Sequence, residues 1–369
     1  MNSVRVAAMV LAVAGGMGLG AGLGGSGVAL GQGAAVPAAG AGAKAQVPAL
    51  KMPDNAAVVY HRYWSLLSKE QSQKIRELGG ELTVPDAAGR EALTSLFAEI
   101  GTSADGLARA TEIKDADWNF EFDLGLGALI PEMGLLRNTA RLFVARARLA
   151  LAEGRADDAA REVARIFPLA RHAAGTPILI SSLVSAAINA LGCTSVEVLV
   201  ADGRMTDKGR AVLLEAIQTH MGGADPFRMK PAIEAERWLM IRWAEKDFAT
   251  RNKAERMKML SELGSGGTAA AQGLAEANME EAVKKAEEYY AAVAAAWDGP
   301  DAPAELAKLE EKVKSGGFGL LAQVMGAAFV KAKEGETKSL GYIAKAIAAL
   351  KAPPDRSGAK PPQQPAEKK

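Results

Sequence analysis

The sequence predicts an all-α protein of stacked antiparallel helix hairpins, a solenoid-like bundle, with one extended acidic-aromatic segment and disordered ends. Three observations predict it. Beyond residue 43 the chain is rich in Ala, Leu, Glu, Lys and Arg, the strong helix formers. Apolar residues recur there every three or four positions. Glycine, proline and capping Asp, Thr or Ser residues interrupt that pattern at the lengths of ordinary helices. At 49% hydrophobic and 24% charged, the chain has enough apolar matter for a packed core. Lys and Arg total 44 against 43 Asp and Glu, and residues 1–31 hold one cation, Arg5, and no acid, so the remainder is neutral. That balance argues against a nucleic-acid binder or a binder of anionic membranes, whose affinity comes from excess positive charge.

The ends come first. Arg5 precedes the apolar run Val6 to Ala14, and small-residue cleavage options follow at Ala29-Leu30-Gly31 and Ala43-Lys44-Ala45. This is the layout of a signal peptide over 1–31, with an uncleaved membrane anchor as the alternative. Once the leader is removed, no stable membrane span is expected. Cys193 is the single cysteine, so no lipid-modified cysteine stands near the start and no intrachain disulfide can form. Its apolar neighbours Ala190, Leu191, Val196 and Leu199 predict a buried thiol. Residues 32–52 read as an Ala/Gly/Pro linker and 351–369 as a Pro/Lys tail, solvated or touching anionic envelope polymers.

Between them lie a helical domain over 53–263 and a long-helix hairpin subdomain over 264–350. Asp54 is the expected cap of a helix through Leu67; a short helix ends at Gly79-Gly80. Asp86 caps a helix to about Ile100 and Ser103 another to Ile113. From Asp115 to Leu124 polar and apolar residues alternate without a slip, an extended segment laid over the helices, with Trp118, Phe120 and Phe122 on one face. Pro131 opens a helix to Glu153, and Asp157 starts one to His172. Leu149 to Ala160 resembles the turn of a tetratricopeptide hairpin, without that family's Trp, Tyr and Pro positions. The all-round apolar stretch Ile178 to Val200 is the expected central helix, ended by Gly203. Helices follow from Thr206 to Met221 and from Asp225-Pro226 to Phe248. Thr268 caps one reaching Trp297, about 45 Å at about 1.5 Å per residue. Along it Met279, Val283, Ala286, Tyr290, Val293 and Trp297 form a coiled-coil seam. The seam either packs in the chain against the helix holding Trp238 and Ile241 or builds a homodimer. Asp301 caps a helix ending at Gly316-Gly317, and helices over 320–333 and 337–350 close the fold.

Several short motifs between Asp117 and Ile188 carry a resemblance. They are Asp117-Trp118, Leu129-Ile130-Pro131, Leu136-Arg137, Ala140-Arg141-Leu142, Arg146-Ala147-Arg148-Leu149, Glu153-Gly154, Leu169-Ala170-Arg171-His172 and Leu179-Ile180-Ser181-Ser182-Leu183-Val184. In these, and in Asn55-Ala56-Ala57-Val58-Val59-Tyr60, the chain resembles a family of exported α-helical bacterial proteins of unassigned function. The resemblance implies export and a helical fold but no chemistry.

The candidate sites are few. Asp115, Asp117 and Asn119 reproduce positions 1, 3 and 5 of a calcium loop, with Glu121 beside them, but Phe120 replaces the required glycine and Leu126 the bidentate glutamate. They read as a weak cation site or a solvated face. Arg137, Arg141 and Arg148 fall within about 40° on a helical wheel. Such a stripe can bind a carboxylate or sugar phosphate, or pair with Asp157, Asp158, Glu162 or the acids of 115–123. Trp118 and His172 complete the candidate ligand site; near a helix C-terminus, an imidazolium at His172 would be favoured by the dipole. His61, His172 and His220 form no metal motif. Gly317 to Ala322 follows a helix rather than a strand, Gly264 to Thr268 lacks the lysine of a phosphate loop, and no nucleophile elbow occurs. No cofactor is expected. The reading is an exported helical binding or scaffold protein whose partner is a peptide, protein or envelope component. Its rivals are an enzyme gathering Asp117, Glu121 and a histidine, and a dimeric spacer joined through 279–297.

Overall fold

The computed structural model describes residues 54–122, 130–264, 267–326 and 328–353. The expected leader, the linker and most of the expected tail lie outside them. Among the described residues the protein is all-α, and the single β-type contact is an isolated parallel bridge between Asn55 and Asp115.

The first helices are α1 (Ala56–Ser65), α2 (Lys69–Glu77) and α3 (Ala87–Ala110). Asn55, not Asp54, caps α1, its Oδ1 accepting from the Ala57 N–H. The two helices expected over 86–113 run together as α3 and part at Gly101, whose backbone is non-helical and whose φ of 41° lies in the left-handed region that glycine enters without penalty. After the extended segment come α4 (Glu132–Ala152), α5 (Ala156–Ala164) and α6 (Ile166–Ala173). The expected single helix to His172 is therefore two. Pro168 explains the break: its ring collides with the carbonyl four residues back and offers no N–H to it.

The hairpin of α4 and α5 packs as its Gly154 turn predicts, and α5 packs in turn on α8 (Asp207–Met221). α7 (Leu179–Asp202) is the central helix, touching α4, α5, α6 and α9 (Met229–Arg242), with its longest contact against α15 (Phe329–Lys351). It is apolar and long enough to cross a membrane, yet most of it is buried inside the chain, as befits a core helix. Buried polar groups pin its partner: Asn189 Nδ2 donates to Ser339 Oγ at 3.0 Å, and Ser339 Oγ to the Ala186 carbonyl at 3.0 Å. Cys193 is fully buried one turn along, and burial pushes its thiol up to about 12, far from a reactive thiolate.

α9 continues into a π-helical turn (Trp243–Phe248), then α10 (Lys253–Glu262), which the hydrophobic pattern had not marked and which an Asn252–Glu255 capping box starts. The expected 45 Å helix is α11 (Ala269–Glu276) and α12 (Met279–Trp297), because Asn278 accepts from the N–H groups of Glu280 and Glu281 and restarts the helix. α13 (Ala302–Lys314) and α14 (Gly319–Met325) follow, and the last break falls at the extended Gly326 rather than near residue 335. All six seam residues of α12 are buried within the chain, against α9, α13 and α14, so the seam presents no face to a second copy. Trp238, however, leaves the seam and is 41% exposed beside Phe122. The buried residues of 264–350 join those of 53–263 in one continuous core.

Candidate functional site

Asn55 holds the extended segment to the start of α1. Its Oδ1 accepts from Asp117 N at 2.9 Å and its Nδ2 donates to the Asp117 carbonyl at 2.9 Å, while Ala56 N donates to the Asp115 carbonyl. The alternation then operates as expected: Trp118 is buried, Phe120 and Phe122 half-buried, and Asp115, Asp117, Asn119 and Glu121 exposed. Trp118 stacks on Tyr60 and Trp64, and its indole N–H donates to the His172 carbonyl at 2.8 Å.

His172 sits deep in this cluster. Its Nε2 lies 2.9 Å from the Ile113 carbonyl, which can only accept, so the proton is on Nε2 and Nδ1 accepts from the Tyr60 hydroxyl at 3.1 Å. Desolvation pulls the imidazole down to about 4, so it is neutral, not the dipole-bound imidazolium expected. Gly175 closes the cluster: a Cβ there would stand 2.5 Å from the Ala116 carbonyl oxygen and 2.9 Å from that of His172. Gly175→Ala is therefore expected to cost about 1–3 kcal/mol in urea denaturation, since two backbone segments must move. The carboxylates do other work. Asp115 faces Arg171 at 3.5 Å, and Asp117 Oδ1 accepts from the Asn119 N–H. Among the described residues no three metal-ligating side chains gather.

Among the described residues the arginine stripe does not meet the acids expected to pair with it. Asp157 accepts from Thr206, Asp158 pairs with Arg155 and Arg161, and Glu162 with Arg146 and Arg165. Arg148 donates instead to the Glu81 carbonyl and Arg141 to the Arg76 carbonyl at 3.1 Å, tying α4 to the end of α2 and the loop after it. Arg137 has no hydrogen-bond or ion-pair partner among the described residues, although it is half-buried. Burial, and the positive charge of Arg141 beside it, pull its guanidinium below its ordinary value.

Arg137 and Arg141 line a cleft of about 190 Å³ floored by Ala140, Ala187, Ile188 and Leu191. Ala187 also lines a second cleft of about 440 Å³ between α7 and α15, walled by Lys331, Glu334 and Lys338. The two clefts share Ala187 and flank it along α7, and this groove of two clefts carries four cations, Arg137, Arg141, Lys331 and Lys338, and one carboxylate, Glu334, on its walls. The α15 wall was not found in the sequence; Ala332, Gly335 and Ser339 at spacings of three and four, a mark of close helix contact, were its only signal. A larger charged cleft of about 510 Å³ lies over α3, α4 and α5, but its arginines, 146, 155, 161 and 165, each face a carboxylate of the chain. The groove is the site with unmet charge. Compared with models of known protein families, with curated proteins and with solved structures, the chain matches none.

Proposed function

We propose that the protein is an exported helical binding protein of the cell envelope that holds an anionic group between Arg137 and Arg141. The observation that carries the reading is Arg137 itself. A guanidinium taken partly out of water beside a like charge, with no counter-charge among the described residues, is destabilising unless a ligand supplies one. Planar bidentate donors select carboxylates and phosphates. Export rests on Arg5 and the apolar run after it, together with the resemblance to exported helical proteins. The α4–α5 and α6–α7 hairpins, packed side by side, support a tetratricopeptide-like body, the kind of scaffold that presents grooves to partners.

The test is a thermal-shift titration with inorganic phosphate and with glutarate at constant ionic strength. Anion at about 100 times its Kd should stabilise the wild type by about 2.7 kcal/mol. Arg137→Ala should lose that response while leaving the ligand-free protein as stable, or up to about 1 kcal/mol more stable, because an uncompensated charge is gone. Silence of the wild type towards both anions, with Arg137→Ala strongly destabilised, would show the arginine to be structural.

A further inference from the structure

We infer that the groove over α7 receives an acidic amphipathic helix of a partner protein, a reading that rests on the anion site just proposed and identifies what carries the anion. The floor is Leu183, Ala186, Ala187, Ala190 and Leu191, small or aliphatic side chains on one face of a helix, over which another helix can approach closely. Arg137 and Arg141 stand one helical turn apart on the α4 wall; Lys331 and Lys338 stand two turns apart on the α15 wall. Cations repeating at whole turns on both sides of an apolar floor match a helix with an apolar face flanked by carboxylates at the same spacings. Lys331 and Lys338 form no ion pair with a carboxylate of the chain among the described residues; Lys338 lies only over the Tyr342 ring.

The floor also decides against other occupants. An extended peptide needs backbone donors and acceptors along its length, and this floor offers alanine and leucine side chains; a helix satisfies its own backbone. An acyl chain carries its charge at one end, whereas these cations stand on both walls. The basic tail after residue 351 has the wrong sign.

The test uses the full mature chain and a fluorescein-labelled 18-residue helical peptide with a Leu/Ala face flanked on both sides by Glu. A matched peptide carrying Lys in place of Glu, sodium oleate and inorganic phosphate are titrated in parallel. The acidic peptide should bind, with affinity falling as salt rises, and the basic one should not. Lys331→Glu with Lys338→Glu, both exposed, should weaken the acidic peptide at least about tenfold and gain binding of the basic peptide, while the phosphate response at Arg137 stays. Ala187→Trp should block the peptide from the floor, with circular dichroism confirming the fold. Equal binding of the two peptides, a preference for oleate, or indifference to the lysine exchange would overturn the helix inference while phosphate binding survives. Loss of the phosphate response itself in the wild type would overturn the anion site beneath it.

Discussion

Acidification from pH 6.5 to about 4 is expected to cost the fold about 3 kcal/mol through His172 alone. The sign follows from proton binding. Unfolded, the imidazole takes its proton near its ordinary value of 6.5; folded, it resists until about pH 4. Between those values the unfolded chain binds more protons, so stability is complete above 6.5 and declines as pH falls through the window. The physical cost is desolvation: protonation would place an imidazolium deep among the helices, away from water. His220 is also held below its ordinary value by burial and by Arg171, and adds to the decline. Glu162 and Glu236 are raised by burial and act in the opposite sense, so the diagnostic quantity is the difference between wild type and a His172→Asn variant. Urea denaturation at half-unit steps of pH should show the wild-type slope flattened in that variant. Identical slopes would mean that His172 titrates normally and the buried chain from Ile113 through His172 to Tyr60 is not formed.

Trp118→Ala is expected to destabilise the protein by about 3–5 kcal/mol. The indole is buried, stacks with Tyr60 and Trp64 at centroid distances of 5.8 and 5.9 Å, and donates its N–H to the His172 carbonyl, which also accepts from the Gly175 N–H. Truncation leaves a cavity between α1 and α6, removes one of the donors to the His172 carbonyl, which keeps the Gly175 N–H, and detaches the extended segment at its one buried side chain among the described residues. Trp118→Phe restores part of the volume without the donor and should cost about 1–2 kcal/mol. Exposed Asp115 and Glu121, changed to Asn and Gln, should stay within about 0.5 kcal/mol. Equilibrium unfolding of the four variants decides the matter: comparable losses for the acids and the tryptophan would restore a binding role to the carboxylates.

The extended segment shows how far local pattern carries. Strict alternation over 115–122 tells which face is oily, because side chains of extended backbone point to opposite sides whatever they meet. It does not tell what lies beneath, and the acids expected to seek the arginine stripe meet Arg171 and a backbone N–H instead. Helix ends divide the same way. Gly203 and Asp86 were legible because a left-handed residue or a short acceptor ends or starts a helix by itself. The break at Asn278 was not, since Met279 to Trp297 continues the periodicity of 269–276 and one side-chain acceptor decided where to restart.

What the sequence by itself determined is the helical class, the burial of α7 and Cys193, and the inward faces of α12 and the extended segment, all consequences of spacing and apolar content that act within a few turns. The tertiary structure decided which charges are left over. Arg141 and Arg148 found carbonyls, Arg146 found Glu162, and Arg137 found no partner among the described residues, though all four lie on neighbouring turns of α4. Ion pairing across helices depends on packing distances of a few ångströms between residues far apart in the chain, and the Coulomb energy of a pair is set by that distance and by its access to water.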